Sequence, residues 1–549
     1  MKKKVFVTLI LILALSFFIR ISGLARNPPS LNWDEISHGY NAYSIWKTGQ
    51  DEWGIRLPLI FRAYGDYKLP LYIYLTAPLV GLAGMNSISV RFISVLSGVG
   101  LVAISFFITK KLTNNEKTSL LAAFLTAVSP WSLFLSRVAV EANLGALLFA
   151  LGMYFFIGWV KESRRKEIIL GFIFWGLSLY SYNSARILVP LFFLLSLFLV
   201  CQRKIFKQLF FLVILMVIFL IPLVGQFTNA SGRARFDLVS LIDQGTVNKI
   251  IEKRANSKIP EVIRSFVFNR PTFFLYYASQ NYLKNLSLKY LFFRGGSHYQ
   301  FSLPDHELLY LVTAPFLLIG LLKLLRSKDS GEKILALWFF LAFIPSAITR
   351  DAPHVLRSIL ILPLPMILSA WGLSLVTQMI QNRSSFKGYL LTGVLVIAVG
   401  VSFYRWWNDY QNIYPKAYSW SWQYGYKEAV NFVKRNYDKY NQIFFTKRYG
   451  EPHEFVAFFW PWDPFAYLKQ KKWDYHANWY WVNSLDKFIF VNDWEMKDIK
   501  CQSTSPVPER YEASCLMITS PGNYPEGWEK IEAVNFLDGK PGFEILESE

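Results

Sequence analysis

Leu31-Asn32-Trp33-Asp34-Glu35-Ile36-Ser37-His38-Gly39-Tyr40 stands directly behind the opening apolar run Val5–Ile19 and sets two adjacent carboxylates at a membrane boundary. Ionisable groups at that depth are costly, and chains that keep them there generally use them. The opening Met-Lys-Lys-Lys and apolar run lack a small-x-small cleavage site, so they read as a retained anchor rather than a removed signal. The side of the bilayer that Asp34 and Glu35 face therefore decides which chemistry they can serve.

Outward from this point the chain is built to cross a membrane. It has 549 residues, of which 53% are hydrophobic and 17% aromatic, a composition unlike that of a soluble globular chain. With about 20 apolar residues needed per crossing, eleven spans are expected near 5–23, 88–109, 118–135, 142–160, 167–182, 187–202, 208–226, 307–325, 333–348, 355–378 and 388–404. The fold class is a polytopic α-helical membrane protein. Its net charge of +20 would suggest nucleic acid were it spread evenly. It is not. Alternate short loops hold 19 basic residues, among them Lys2–Lys4, Lys110, Lys111, Arg164–Lys166 and Lys323, against five acidic ones. That bias places the N-terminus in the cytoplasm and makes nucleic-acid binding unnecessary as an explanation. An odd number of spans then sets the C-terminal tail outside, together with loops 24–87 and 227–306.

Two domains are expected: a membrane core over 1–404 carrying those loops, and an extracytoplasmic domain over 405–549. The first loop contains Leu69-Pro70-Leu71-Tyr72-Ile73-Tyr74-Leu75, too short to span and suited to lying at the interface. The second outer loop is basic, with Arg233, Arg235, Lys253, Arg254 and Arg264. The tail balances 17 basic against 20 acidic residues and holds 11 of the 19 tryptophans. Helical spacing over 424–437 and strand-like runs at 443–445, 487–491 and 516–519 predict a small α/β domain. Cys501 and Cys515 fall in a compartment that permits a disulfide. Cys201, at the inner end of a span, reads as a small apolar filler.

Lys and Arg should be scarce at the outer ends of the spans, yet Arg62, Lys68, Arg91, Arg137, Arg186, Arg294, Arg350 and Arg357 stand there. An excess of guanidinium over carboxylate beside a bilayer suits a bound phosphate, which arginine forks grip with two bonds. A phosphate that enters from the membrane belongs to a lipid. Headgroup anchoring explains such arginines singly and the set less well.

These residues bring a family into view. WDEISHGYNAY (33–43), YGDYKLPLYIYLTAP (64–78) and NSISVRFISVLSG (86–98) resemble the first-loop signature of polyprenyl-phosphate-sugar glycosyltransferases of the GT-C type. The branch is that of protein O-mannosyltransferases and lipid A aminoarabinose transferases, which SPWSLFLSRVAVEANLGALLF (129–149) and RDAPHVLRSILILP (350–363) also resemble. The resemblance covers the membrane core well and the tail loosely. It implies inverting transfer at the outer face without a metal cofactor, from a polyprenyl-phosphate-linked sugar to a hydroxyl on a protein, lipid or polysaccharide of the cell envelope. It carries the acceptor-activating role onto Asp34 and the phosphate-holding role onto Lys68. The chemistry agrees, since a neutral hydroxyl needs a base as it attacks and a leaving phosphate needs fixed cations. Arg137, Arg91 and Arg357 are expected helpers, with Arg62 beside Lys68. Glu35 is expected to orient Asp34, or to bind a sugar hydroxyl or an arginine. A bland reading also fits the acidic pair, as the N-cap and first-turn acid of a helix at 36–47.

His38 completes an Asp-Glu-x-x-His pattern that echoes protein mannosyltransferases, although a lone histidine is as readily a packing residue. His354 faces the same side as Arg357. Asp34, Glu35 and His38 on one turn make weak metal-ligand chemistry without a second cluster, so no cofactor is expected, although oligosaccharyl transfer would use a divalent cation. The Trp-Trp, Trp-x-Trp and Trp-Pro-Trp clusters of the tail suit its core or a membrane-interface belt better than sugar stacking. Transfer of a whole lipid-linked glycan is an alternative that would call for a second acidic cluster. A lipid-sugar flippase is another, and it would have no use for a general base.

Overall fold

The computed structural model describes residues 2–200, 206–228, 239–381, 385–477, 479–501 and 514–548. Cys201, Arg233 and Arg235 lie outside the described residues.

Every expected span falls largely on helix. Among the described residues, six helical stretches are both long and apolar enough to cross a bilayer: Lys3–Ile21, Ser87–Thr113, Glu141–Glu162, Ser330–Ala347, Ile359–Gln381 and Phe386–Asn412. Pro70–Ala83, Asn183–Ser196, Val213–Val224 and Leu311–Leu325 are shorter apolar helices. The protein is a multi-pass membrane protein. The span expected over 118–135 is two helices, Glu116–Val128 and Pro130–Leu135. Pro130 has no N–H to continue the first and occupies the opening turn of the second, where that loss costs nothing.

The chain divides into two compact units. One comprises 1–22 and 94–407, the other 23–93 and 408–549. The loop over 24–87 thus groups with the tail.

In the helical unit, Glu141–Glu162 packs along Arg165–Leu179, and Ala314–Leu325 along Leu364–Gln381. Gly320 and Gly372 bring the latter pair so close that a Cβ on either would strike the opposing backbone. Small residues at such seams give lipid-embedded helices their contact area.

The other unit is built on a seven-stranded sheet. Its strands are β3 (Gln442–Thr446), β4 (Lys471–His476), β5 (Trp479–Leu485), β6 (Phe488–Val491), β7 (Cys515–Thr519), β8 (Trp528–Asn535) and β9 (Pro541–Ser548), in the order β4-β5-β6-β3-β7-β9-β8. β6, β3 and β7 run parallel and the rest antiparallel. Ile443, Phe445, Leu516 and Ile518 on one face and Cys515 and Met517 on the other are fully buried, as befits central strands covered on both faces. Tyr426 of the helix Tyr426–Asn436 stacks at 4.0 Å on Phe455 of the helix Pro452–Phe459. Cys501 and Cys515 are disulfide-bonded. A two-stranded ribbon of the first loop, β1 (Phe61–Arg62) and β2 (Tyr67–Lys68), lies in the same unit, where the N–H of Tyr480 donates to the carbonyl of Tyr64 at 3.1 Å.

Candidate active site

The helix Trp33–Thr48 begins where its sequence provides a reciprocal cap. The Glu35 N–H donates to Asn32 Oδ1 at 2.9 Å, and the Asn32 N–H to Glu35 Oε2 at 3.2 Å. Asn32, not Asp34, is therefore the N-cap, and both carboxylates occupy the first turn, where the helix dipole favours negative charge. Gly49 ends the helix in the left-handed conformation, φ 70°.

The two carboxylates have different surroundings. Asp34 is ion-paired with Lys68, which the ribbon strand β2 brings to it, and the Asp34 side chain is still 35% exposed. Lys68 is nearly buried, its ammonium held at the open edge of the turn. The site thus offers an accessible base with a cation beside it.

Glu35 is fully buried, and so is its partner Arg91. Arg91 Nε and Nη2 grip the carboxylate at 2.7 and 2.8 Å. Nη1 donates to the carbonyls of Leu24 and Pro28 at 2.9 and 3.1 Å, and Nη2 also to that of Ser30 at 2.5 Å. All five guanidinium hydrogens are thereby committed to Glu35 and the loop 24–30. Arg91, expected to help hold a donor phosphate, and Glu35, expected at the reacting centre, are engaged with each other in this structure. Of the roles expected for Glu35, the arginine partner is the one observed.

Trp33, which precedes Asp34, is held by the tail at Gln423 and Gly450 and by Tyr64 of its own loop. Its N–H donates to Gln423 Oε1 at 3.3 Å. Its carbonyl accepts from the Tyr64 hydroxyl at 2.8 Å. Its ring lies where a Cβ on Gly450 (φ +133°) would approach within 2.6 Å. Tyr64 is backed by Glu454 Oε2 at 3.1 Å. Burial, with Glu52 nearby, holds the Glu454 carboxyl well above the usual range.

Glu454 belongs to a buried set that sequence reasoning does not find. Glu52 accepts from Asn41 Nδ2 at 2.8 Å. Lys471 donates to the Glu52 carbonyl at 2.5 Å and lies 3.7 Å over the Trp53 ring. Burial pushes Glu52 up and Lys471 down, each toward its neutral form. Glu451 accepts from Trp479 Nε1 at 2.7 Å and is raised by burial to about 7. The one available signal is Glu451-Pro-His-Glu454 opening the apolar run Phe455–Trp460, carboxylates where a buried helix face is due.

His38 is buried with its ring edge-on to Tyr72 at 5.2 Å. Arg62 lies against both Trp53 and Tyr480, 5.0 and 4.6 Å from their centroids. The remaining predicted residues belong to the helical unit. Arg137 is fully buried, donating to the carbonyls of Ile19 and Arg20 at the C-terminus of the first helix, at 2.7 and 2.9 Å. Arg357 donates to Thr349 Oγ1 at 2.8 Å and pairs with Asp351 at 3.3 Å. The His354 ring lies 5.5 Å from that of Phe301. Among the described residues, no three His, Cys, Asp or Glu side chains converge as a metal site.

Residues 68–225, well short of half the chain, match the dolichyl-phosphate-mannose-protein mannosyltransferase family. ArnT from Cupriavidus metallidurans, solved in the apo state and bound to undecaprenyl phosphate, superposes with a TM-score of 0.55 at 10% identity, over 98% of this chain and 97% of ArnT. This chain has a GT-C fold. The archaeal oligosaccharyltransferase AglB from Archaeoglobus fulgidus, solved with an inhibitory peptide and a dolichol-phosphate, shares that GT-C architecture with a TM-score of 0.52 at 13% identity. The likeness covers 83% of this chain, which spans 63% of AglB. No curated protein matches the sequence.

Proposed function

We propose that this protein is a GT-C glycosyltransferase that moves a sugar from a polyprenyl-phosphate donor to a hydroxyl acceptor at the outer face of the plasma membrane. The pairing of Asp34 with Lys68 carries the reading. Asp34 takes the proton of the acceptor hydroxyl as that oxygen attacks the anomeric carbon from the face opposite the phosphate, so configuration inverts. Lys68 moves onto the leaving phosphate and balances its growing charge. In the resting state each satisfies the other, and the bound donor separates them. The N-terminus is cytoplasmic and the 405–549 segment extracytoplasmic, as the basic bias of the short loops requires. Arg357 and His354 are further candidates for donor binding, and the reaction needs no metal ion.

The likeness to AglB favours a second reading, transfer of a whole lipid-linked glycan. The extent of likeness supports the single-sugar reading instead, since the match spans 97% of ArnT and 63% of AglB. Asp34→Asn in proteoliposomes charged with donor lipid tests the proposal. Transfer should fall by at least a thousandfold with donor binding unchanged, and the wild type should keep its activity in EDTA. Transfer by Asp34→Asn near the wild-type rate would overturn the assignment.

A further inference from the structure

Parallel strands in an open sheet leave a crevice beyond their C-terminal ends, and it opens where neighbouring strands connect in opposite directions; ligands of α/β domains gather there. The tail has such a place. β3 is flanked in parallel by β6 on one side and β7 on the other. The turns after these three strands, Lys447–Tyr449, Asn492–Trp494 and Ser520–Asn523, line two adjoining cavities of 580 and 510 Å³ that share Arg448, Asp493 and Asn523.

Asp493 ties the turns together. Its Oδ1 accepts from Thr446 and Ser520 at 2.8 Å each, and its Oδ2 from Arg448 at 2.8 Å. Its carbonyl accepts from Asn523 at 2.5 Å. Around this frame the walls are basic. Lys447, Arg448, Lys497 and Lys540 line the cavities, and Asp493, already engaged, is the one carboxylate among the described lining residues. Trp494 stands at the rim with 77% of its surface exposed. By contrast Trp422 is wholly buried, and Trp460 and Trp462 pack edge to face at 5.3 Å. An indole left in water beside amide, hydroxyl and cationic groups has the chemistry that holds a sugar ring by its face and an acid group by its charge.

We propose that this crevice is a binding site for acidic glycan. A ring stacks on Trp494, its hydroxyls meet Asn492 and Asn523, and its carboxylate or phosphate meets Arg448 and Lys497. The site stands on its own geometry, and Asp34 and Lys68 take no part in it.

The test uses the full chain in detergent micelles with two probes, a tetrameric oligogalacturonide and neutral maltotetraose, read by saturation-transfer NMR and titration. The acidic probe should bind, weaken as salt is raised from about 50 to about 500 mM, and lose about tenfold in affinity in Trp494→Ala. Lys497→Glu should weaken it further. Both side chains are exposed, so both variants should fold, and Asp34→Asn should bind the probe like the wild type. No saturation at about 10 mM probe, equal binding of maltotetraose, or affinity unchanged in Trp494→Ala would each overturn the proposal. Loss of transfer chemistry with binding intact would overturn only the catalytic reading.

Discussion

Glu35→Gln should strongly destabilise the first-loop and tail unit, while Asp34→Asn should leave it standing. Neighbours in one helical turn, the two residues carry the same charge and differ in surroundings. Glu35 and Arg91 are both fully buried, and the exchange to Gln keeps the shape but strands a guanidinium away from water. Breaking a buried pair from one side costs about 3–5 kcal/mol, a large part of the roughly 5–15 kcal/mol that holds a typical fold. For a unit of this size that is a fall of roughly 6–20 °C in melting temperature. The Asp34–Lys68 pair opens to solvent on the Asp34 side, so Asp34→Asn should cost clearly less in melting temperature than Glu35→Gln. Scanning fluorimetry of the purified chain, read beside the transfer assay, separates the two. The double variant Glu35→Gln/Arg91→Met should lose less than the sum of the single losses, because no stranded charge remains. A Glu35→Gln protein that melts normally yet cannot transfer would refute this reasoning and return Glu35 to the reacting groups.

Lys68→Ala should raise the apparent KM for donor lipid at least tenfold, measured with donor varied at saturating acceptor; an unchanged KM would remove the phosphate role. Gly450→Ala should lower kcat about a hundredfold at constant donor KM. Its Cβ would come within 2.6 Å of Trp33 and displace the turn by about 1 Å, a misplacement of catalytic groups that costs about that much. Glu451, raised to about 7 in the folded state from 4.5, binds a proton that the unfolded chain releases, so its contribution is present at low pH and is lost as pH climbs through that window. Relative to the wild type, Glu451→Gln should therefore gain about 1.4 kcal/mol per pH unit between about 4.5 and 7, read from melts across that range, and nothing above it.

The helices were legible because a bilayer demands long apolar runs, and β3, β6 and β7 because β-branched and aromatic residues cluster between turn signals. Asp34 and Lys68 were each legible as a charge out of place. The partners of the arginines were not. Charge accounting sought anions for every guanidinium, but Arg137 donates to two backbone carbonyls and Arg91 to three besides Glu35, and carbonyls have no sequence signature. The hold of Gln423, Gly450 and Glu454 on Trp33 joins positions more than 380 residues apart. Nothing local announces such a contact. Glu52, Glu451 and Lys471 escaped for the opposite reason, since charged residues beside polar loops look solvated until the packing around them is seen.

One compact unit draws its residues from both flanks of the helical region, 23–93 and 408–549. A ribosome adding about 5–20 residues per second makes the first part roughly 15–60 s before it starts the second, because roughly three hundred residues intervene. For that interval Trp33, Tyr64 and Glu52 lack the surfaces that later enclose them. The newborn chain is therefore inert until its last quarter has emerged, and a product cut short in the tail should be cleared by proteases rather than persist as a partly active enzyme.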